Sequence, residues 1–375
     1  MWNNTPIAAP GSIFVPLRPA RLDDSLIGQP LAWDLYTASG VLVAGAGMVI
    51  ADAGQLGRLK ARPLYHRADA GIDETAWLER LRQALQSYPD TLEAAGADLE
   101  RGIRALVSEL SILLEQDHDA CLGLTRRLPM RDPAVRHCLV SALIALDLAG
   151  QMSLSGSETE SLSAAALTMN VSAMRLHADL DQGFVPFSPE IRAAMRRHPD
   201  DGAGRLAASG IDDPVWLAAV RQHHENLDGS GYPLGLRDDG IAMSARLIRV
   251  ADYYAAKISG RHYRPPKSPQ FAIKQLFGSE RGRLDSQAAT LSLRCLGLYP
   301  PGTLVRLATR EIAVVTRKEG SGESAGHVMA FMTPNGRLLK EPAEHDTGLV
   351  NFAVLDVAEA QPNWPEIAWE AYWGY

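Results

Sequence analysis

Two adjacent histidines, His223 and His224, end a helix-like segment, and an acidic, glycine-rich loop follows them directly. Neutral imidazole is the commonest metal ligand in proteins, so this pair could hold one metal ion or join two neighbouring ions. Glycines permit the tight turns of such a loop, and Pro233 stiffens its exit. Taken alone, however, two neighbouring histidines more often lie on a surface before an ordinary loop.

Three further positions carry residue types that a metal site uses. His198 precedes a proline upstream of the pair, Asp252 lies downstream in the helix-like run 245–256, and His137 begins an earlier helix-like run. Each is unremarkable by itself, because a single polar residue on a helix usually faces solvent or makes a hydrogen bond. Their combination with the histidine pair strengthens the prediction of a metal site.

Residues 223–236 read HHENLDGSGYPLGL, and the segments ARLIRVADYYAA and RHYR follow. This run resembles the signature of HD-GYP domain proteins, the bacterial family of cyclic di-GMP phosphodiesterases. The resemblance extends over about residues 130–300. It implies a helical HD-type domain with two or three metals, commonly iron or manganese. A metal-activated water then attacks the phosphodiester of cyclic di-GMP, giving pGpG or GMP.

The resemblance also implies roles for individual residues. The positions that match metal ligands are His137, His198, His223, His224 and Asp252. Arg261 and Arg264 match a basic pair that contacts substrate phosphates, although arginines at a helix end are otherwise mostly exposed and without such a role. The loop residues that match a partner-binding loop, for example one that meets a diguanylate cyclase, are Asp228, Gly229, Gly231, Tyr232 and Pro233.

The histidine-aspartate pair that names the family is replaced in this chain. The matching segment, residues 167–173, reads LTMNVSA, so Met169 stands for the histidine and Asn170 for the aspartate. A neutral amide cannot bridge two dications, and a thioether is a poor ligand for iron(II), manganese or magnesium. Another family ligand position falls at Pro133. His177 and Asp179 are no substitute, because residues two apart on a helix point about 200° apart.

These replacements predict a degenerate catalytic site that holds one divalent metal, iron or manganese, and make a two-metal centre doubtful. We expect a regulatory module of cyclic di-GMP signalling that binds this or a related nucleotide, or a protein partner, with weak or no phosphodiesterase activity. The alternative is an active phosphodiesterase with an altered, mononuclear centre. A third interpretation is a scaffold in which the helical domain only joins two β modules.

The patterning predicts a mainly α chain, with a helical HD-type domain flanked by small β-rich N-terminal and C-terminal modules. Residues from Ile13 to Leu64 are strand-like, and the part from Leu31 to Ala44 predicts a hairpin with its turn at Ser39-Gly40. Between Asp73 and Gln116, by contrast, apolar residues recur at helical spacing. Asn335-Gly336 between two apolar runs predicts a hairpin near the C-terminus. The expected boundaries are 12–72 for the first module, 73–118 for connecting helices, 119–299 for the HD-GYP-like domain, 300–358 for the β extension and 359–375 for the tail.

The composition narrows the setting and the partners. The net charge is −7 and no long basic run occurs, which argues against nucleic acid as a partner. The three cysteines show no CxxC spacing, and the N-terminus has no basic start followed by an apolar run, so a reduced cytoplasmic location is expected. Without a stretch of about 18 apolar residues, no membrane span is expected. The sequence leaves homodimerisation open.

Overall fold

A computed structural model describes most of the chain. The described residues are 17–20, 22, 26–31, 33–37, 41–60, 64–67, 74–130, 132–183, 188–259, 266–318, 324–361 and 363–375. The chain divides into two compact units, residues 1–78 with 373–375, and residues 79–372. The predicted module boundaries stay predictions.

The first unit contains a small antiparallel sheet with strand order β1-β4-β2-β3. Its strands are β1 (Leu17–Pro19), β2 (Leu35–Tyr36), β3 (Leu42–Ala44) and β4 (Tyr65–Arg67). Buried apolar side chains, among them Leu35 and Ile50, form its core. The strands β2 and β3 confirm the predicted pairing, whereas the predicted turn at Ser39-Gly40 lies outside the described residues.

The helix α1 (Ala53–Lys60) was not predicted, because the whole run to Leu64 was taken as strand-like. The side chain of Asp52 accepts a hydrogen bond from the backbone N–H of Gln55 at 2.7 Å. Gln55 Oε1 accepts one in return from the N–H of Ala51 at 2.8 Å. This reciprocal capping satisfies backbone donors at the start of the helix, and so a short helix forms where apolar spacing gave little signal.

The remaining helices follow in chain order, and α2 begins in the first unit and continues into the second. They are α2 (Glu74–Glu93), α3 (Ala97–Gln116), α4 (His118–Arg127), α5 (Pro133–Gln151), α6 (Gly156–Thr168), α7 (Met174–Asp181), α8 (Pro189–Ala208), α9 (Pro214–Gln222), α10 (Met243–Ile258), α11 (Pro269–Phe277) and α12 (Ser286–Leu296). The helices α2 and α3 confirm the periodicity prediction, since Leu81, Ile103 and Leu110 are fully buried. The chain is mainly α, with small antiparallel sheets toward both ends.

The helix α5 lies at the centre of the second unit and packs against α6, α10 and α12. Asp132 caps it by accepting the N–H of Ala134 at 2.7 Å, and Pro133 occupies its first turn. His137 therefore lies one turn inside the helix rather than at its start, where the sequence placed it. Among the described helices, α5 alone is long and apolar enough to cross a membrane, but 78% of its most apolar window is buried inside the protein.

The second sheet is antiparallel with strand order β8-β7-β6-β5-β9. Its strands are β5 (Leu304–Leu307), β6 (Ile312–Arg317), β7 (His327–Met332), β8 (Leu338–Asp346) and β9 (Val354–Val357). Met332 pairs with Leu338 beside the Asn335-Gly336 turn, which confirms the predicted hairpin. The rings of Trp364 and Trp369 meet Phe331 edge-on, so these tail residues pack on this sheet.

A buried ion pair joins this sheet to the helices of the same unit. Both guanidinium Nη atoms of Arg317 on β6 lie 3.0 Å from the carboxylate oxygens of Asp117, the N-cap of α4. Both side chains are at least 96% buried. A bidentate pair of this kind fixes the direction in which the strand meets the helix end.

Candidate functional site

The middle of one helix and the C-terminal end of another bring His198 and His223 together. His198 lies in α8, and His223 caps the C-terminus of α9. The Nδ1 atoms of the two rings lie 2.7 Å from backbone carbonyl oxygens, those of Met195 and Val220 respectively. A carbonyl oxygen can only accept, so each Nδ1 carries the proton and donates it. The local helix geometry thus sets the same tautomer in both histidines.

The Nε2 atoms of His198 and His223 face each other at 3.2 Å. Since Nδ1 holds the proton in both rings, each Nε2 presents a lone pair, and two lone pairs at this distance repel unless a cation lies between or beside them. His224 completes the group, because one ligand atom from each of the three histidines lies within 4.8 Å of the others. Among the described histidine, cysteine and acidic residues, these three histidines have side chains close enough together to share a metal ion.

A proton is a poor candidate for the cation in this cluster. Burial, and then the neighbouring charge of His198, lower the pKa of His223 to about 3. Burial and the charge of His223 lower the pKa of His224 well below its usual value. Both rings are therefore neutral at physiological pH and offer lone pairs, which is the donor set that iron, zinc and related divalent metals accept from imidazoles. The three histidines fit one divalent metal.

Asp252 lies next to the histidine cluster but already has two other partners. Its Oδ1 accepts a hydrogen bond from His137 Nε2 at 2.9 Å, and its Oδ2 lies 3.4 Å from Arg249 Nη1. Its Oδ2 is 3.7 Å from His224 Nδ1. Burial acts to raise the pKa of Asp252, but the His137 hydrogen bond and the nearby positive charges hold it well below its usual range. The ionised carboxylate faces a histidine and a guanidinium where a second cation would have to compete.

Met169 and Asn170, the replaced pair, lie beside the predicted metal ligands. Met169 caps the C-terminus of α6 and is fully buried, and Asn170 is 4% exposed. Asn170 Nδ2 is 3.7 Å from the sulfur of Cys138, the residue after His137. Two residues further on, Ser172 donates to the carbonyl oxygen of His198 at 2.7 Å. The segment that resembles the family's namesake pair is therefore beside the predicted ligands on α5 and α8.

The loop after the histidines is held by a buried carboxylate. Glu225 is 2% exposed, and its two oxygens accept the backbone N–H groups of Leu234, Gly235 and Leu236 at 2.6, 3.1 and 3.0 Å. The backbone N–H of Tyr232 donates to the carbonyl oxygen of His224 at 3.2 Å. The loop is therefore tied by hydrogen bonds to the residues that carry the histidine cluster.

Gly231 lies where the loop passes closest to its own start. A β-carbon at this position would lie 2.4 Å from the backbone nitrogen of Asn226 and 2.6 Å from the carbonyl oxygen of His224. These are backbone atoms and cannot move aside, so only glycine fits. Three residues earlier, the side chain of Asp228 accepts hydrogen bonds from the N–H and hydroxyl of Ser230 at 2.9 and 2.6 Å, which closes a local turn.

Tyr232 extends the histidine cluster toward solvent. Its ring centroid is 4.7 Å from that of His224, and the guanidinium carbon of Arg196 lies 5.0 Å from the Tyr232 ring centre. Burial raises the pKa of the Tyr232 phenol above its usual value. Arg196 and Tyr232 thus form a cation–π pair next to the histidine cluster.

The structure thus gathers His198, His223 and His224, and places His137, Asp252 and the replaced pair beside them. Arg261 and Arg264 lie outside the described residues. The sequence reasoning missed Arg249, Glu225 and Arg196. Arg249 could have been found, because it precedes Asp252 by three residues on one helix and so shares its face. Nothing local in the sequence predicted that Glu225 would bind the backbone nine to eleven residues further on.

Comparison with known proteins agrees with this architecture. The HD domain family matches residues 109–288. The chain is 27% identical over 234 residues to a cyclic di-GMP phosphodiesterase of Pseudomonas aeruginosa, covering 62% of this chain and 56% of that protein. It is 27% identical over 203 residues to the cyclic di-GMP phosphodiesterase response regulator RpfG of Xanthomonas campestris, covering 53% and 52%. Residues 109–288 thus match the HD domain family, and the chain is similar to cyclic di-GMP phosphodiesterases.

A solved structure is also similar. Bd1817, an HDGYP protein from Bdellovibrio bacteriovorus, aligns with a TM-score of 0.47 and 17% sequence identity, covering 74% of this chain and 98% of that one. The chain spans about half the length of the curated relatives that it matches, 56% and 52% for the two named above.

Proposed function

We propose that this chain is a regulatory HD-GYP-type protein that binds one divalent metal and cyclic di-GMP or a related nucleotide, with weak or no phosphodiesterase activity. The observation that carries the proposal is the contrast between two halves of one site. The facing Nε2 atoms of His198 and His223 form a ready ligand pair at 3.2 Å. Asp252, by contrast, binds His137 and Arg249 instead of lying open to a second metal.

The replaced pair supports the loss of the second metal. Asn170 is neutral and binds metals weakly through its carbonyl oxygen, so it cannot bridge two dications or offset their charge. Met169 offers only a soft thioether, which iron(II) and manganese bind poorly. Phosphodiester hydrolysis by paired metals depends on clamping both the attacking and the leaving oxygen, and one ion lacks that geometry. The three imidazoles of His198, His223 and His224 would hold one metal ion, iron or manganese, which would supply a positive charge for a phosphate oxygen.

The metal content of the purified protein is the first test. Protein is expressed without a chelating tag in medium that contains iron and manganese, and its metal content is measured by inductively coupled plasma mass spectrometry. We expect about one metal ion per chain. The His223→Ala/His224→Ala variant is expected to carry almost none, because two of three ligands are lost. A stable content of two ions per wild-type chain contradicts the proposal of a single-metal site.

Restoring the replaced pair is the second test. The Met169→His/Asn170→Asp variant regains an imidazole and a carboxylate beside His137, and we expect it to bind a second metal and to hydrolyse cyclic di-GMP at least tenfold faster than the wild type. The matched control is Met169→Leu/Asn170→Leu, which repacks the same buried positions without ligands. Wild-type hydrolysis as fast as that of an active restored variant, measured as pGpG and GMP by chromatography, contradicts the regulatory proposal.

That last outcome would favour the second candidate, an active phosphodiesterase with a mononuclear centre. The observation in its favour is the intact three-histidine group. Three imidazoles with open positions can activate a bound water in other folds. The two candidates separate on one measurement, since only the enzyme loses hydrolysis in the His223→Ala/His224→Ala variant while the regulatory protein has little to lose.

The names of the relatives support cyclic di-GMP as the nucleotide, since the Pseudomonas and Xanthomonas proteins are phosphodiesterases of that molecule. We extend to this chain the proposals that Arg261 and Arg264 contact its phosphates. We also propose that the loop of Asp228, Gly229, Gly231, Tyr232 and Pro233 binds a protein such as a diguanylate cyclase, and that the protein acts in the cytoplasm. Equilibrium dialysis with cyclic di-GMP is expected to detect binding that Arg261→Glu weakens; equal binding by that variant contradicts the phosphate role.

A further inference from the structure

A pocket of about 490 Å³ lies in the second unit, away from the residues proposed as metal ligands, none of which lines it. Its walls come from the end of α4, the start of α5, the end of α10, the start of α11 and the edge formed by β5 and β9. Four cationic side chains line it, those of Arg126, Arg127, Arg136 and Lys267. Glu359 is the one carboxylate among the lining residues, and its side chain is in an exposed position.

The three arginines bind only neutral acceptors among the described residues. Arg126 Nη1 donates to the carbonyl oxygens of Pro300 and Pro301 and to the hydroxyl of Thr303. Arg127 Nε donates to the carbonyl oxygen of Gly302.

Arg136 follows the same pattern. Its Nη1 and Nη2 donate to the carbonyl oxygens of Arg126 and Leu128 at 3.2 and 2.8 Å. Its Nε is buried and has no hydrogen-bond partner. No ion pair between any of the three arginines and a described carboxylate occurs, so their charges are not neutralised by the ordered part of the protein.

Three guanidinium groups without a described carboxylate partner are costly at one place, although that of Arg127 lies 5.5 Å from the ring centre of Trp369. The three side chains are half-buried, and a charge that loses part of its hydration is normally paired in proteins. Burial, and then the charges of Arg126 and Arg136, lower the pKa of Arg127 to about 9. Even so, a guanidinium stays protonated at neutral pH, and the repulsion persists. An anion in the pocket would relieve it.

We propose that this pocket is a second ligand site, which binds a small phosphorylated molecule of about nucleotide size. Guanidinium groups match phosphate oxygens in charge and in fork geometry, and more than one positive charge suits a phosphate better than a single carboxylate. Pro133 lines the pocket at the first turn of α5, so the positive end of that helix adds to the field. The volume lies within the range of small-molecule sites. The site contains none of the proposed metal ligands, and Ser259 and Pro266 in its lining flank the segment that holds Arg261 and Arg264.

Calorimetric titration of the metal-free full-length protein with inorganic pyrophosphate tests the proposal. We expect saturable binding with one site per chain, which weakens as salt concentration rises because the contacts are ionic. Arg136→Gln is expected to weaken binding about tenfold or more, the loss expected for one charge-assisted contact. Lys267→Glu is expected to weaken it at least about threefold, whereas Lys274→Glu, on the helix α11 that follows and outside the pocket, leaves it within about twofold.

Two further variants keep the test decisive. Arg136 also donates to two backbone carbonyls, so its replacement could unfold the protein; Ala358→Trp instead fills the pocket and keeps every arginine. Circular dichroism shows whether Ala358→Trp is folded. Loss of pyrophosphate binding by the folded variant supports the proposal. The His223→Ala/His224→Ala variant is expected to bind pyrophosphate like the wild type.

Three results would overturn the second site: no saturable heat from folded wild-type protein, unchanged binding by Ala358→Trp, or loss of binding in the His223→Ala/His224→Ala variant. The last would place the anion at the histidine cluster. Because the titration uses metal-free protein and no cyclic dinucleotide, failure of the proposed metal or cyclic di-GMP function leaves its result unchanged.

Discussion

At the scale of single residues, the site depends on which ring nitrogen carries the proton. Carbonyl acceptors fix Nδ1–H in His198 and His223, and the free energy that favours a metal comes from the two lone pairs left facing each other at 3.2 Å. The residue types and their spacing predicted that these histidines would meet. They could not predict that Asp252 would form a hydrogen bond with His137, because that contact depends on how α10 is rotated against α5.

The loop glycine gives a prediction at this scale. Gly231→Ala is expected to lower the free energy of unfolding by about 2–4 kcal/mol, because its new β-carbon would lie 2.4 Å from two backbone atoms. It is also expected to weaken metal binding, since the carbonyl of His224 is one of the atoms displaced. Gly240→Ala is the control, with its nearest neighbour at 3.9 Å. Urea unfolding of both variants measures the difference, and equal stability would show that the loop relaxes freely.

At the scale of elements, a helix end and a strand are joined by charge. Asp117 both caps α4, by accepting the N–H of Ala120 at 3.0 Å, and pairs with Arg317 on β6. The sequence predicted the strand and the helical region separately, from alternation and periodicity. It gave no sign of their ion pair, because the partners lie 200 residues apart.

Asp117→Asn separates these two roles. Asparagine keeps the cap but removes the charge, so the buried Arg317 loses its bidentate carboxylate partner, and we expect a loss of about 3–5 kcal/mol in the free energy of unfolding. Asp98→Asn is the matched control, because the Asp98–Arg101 pair is about three-quarters exposed and should cost under about 0.5 kcal/mol. Chemical denaturation followed by circular dichroism compares the two. A loss at Asp117 no larger than that at Asp98 contradicts the structural role of the pair.

At the scale of the whole molecule, the mainly α plan and its two flanking sheets followed from composition, periodicity and one turn signal. The Asn335-Gly336 hairpin is an example of a local signal that suffices, since two residues determine the chain reversal. The arginine pocket is the opposite case. Its lining residues come from positions 126 to 360. Because they are so far apart in the sequence, no local pattern predicts the cavity.

The stability of the whole protein should depend on pH through His118. Burial lowers the pKa of His118, but Asp147, at 2.7 Å from its Nε2, and Asp119, at 2.8 Å from its Nδ1, outweigh burial and raise it to about 9. The unfolded histidine titrates near 6.5. The folded state therefore holds the proton more tightly, so this contribution is complete below about pH 6.5 and is lost as pH rises through about 9.

We expect the wild type to lose about 2 kcal/mol of unfolding free energy between pH 6.5 and pH 9.5 from this group. His118→Gln should be less stable at pH 6.5 and should show a smaller loss over the same interval. Urea unfolding at the two pH values measures both proteins. A wild-type slope equal to that of His118→Gln would show that the histidine carries no extra charge in the folded protein.

The carboxylate of Glu225 holds three amides of the glycine-rich loop, and the residue before it supplies both a ring to the metal cluster and a carbonyl to Tyr232. Any molecule that binds this loop therefore also contacts the backbone that orients the imidazole of His224. Thermodynamic reciprocity then requires that, if the bound ion strengthens such a complex by some factor, the complex retains the ion more tightly by the same factor. The concentrations of metal and of a partner protein in the cell would therefore both affect binding at this loop.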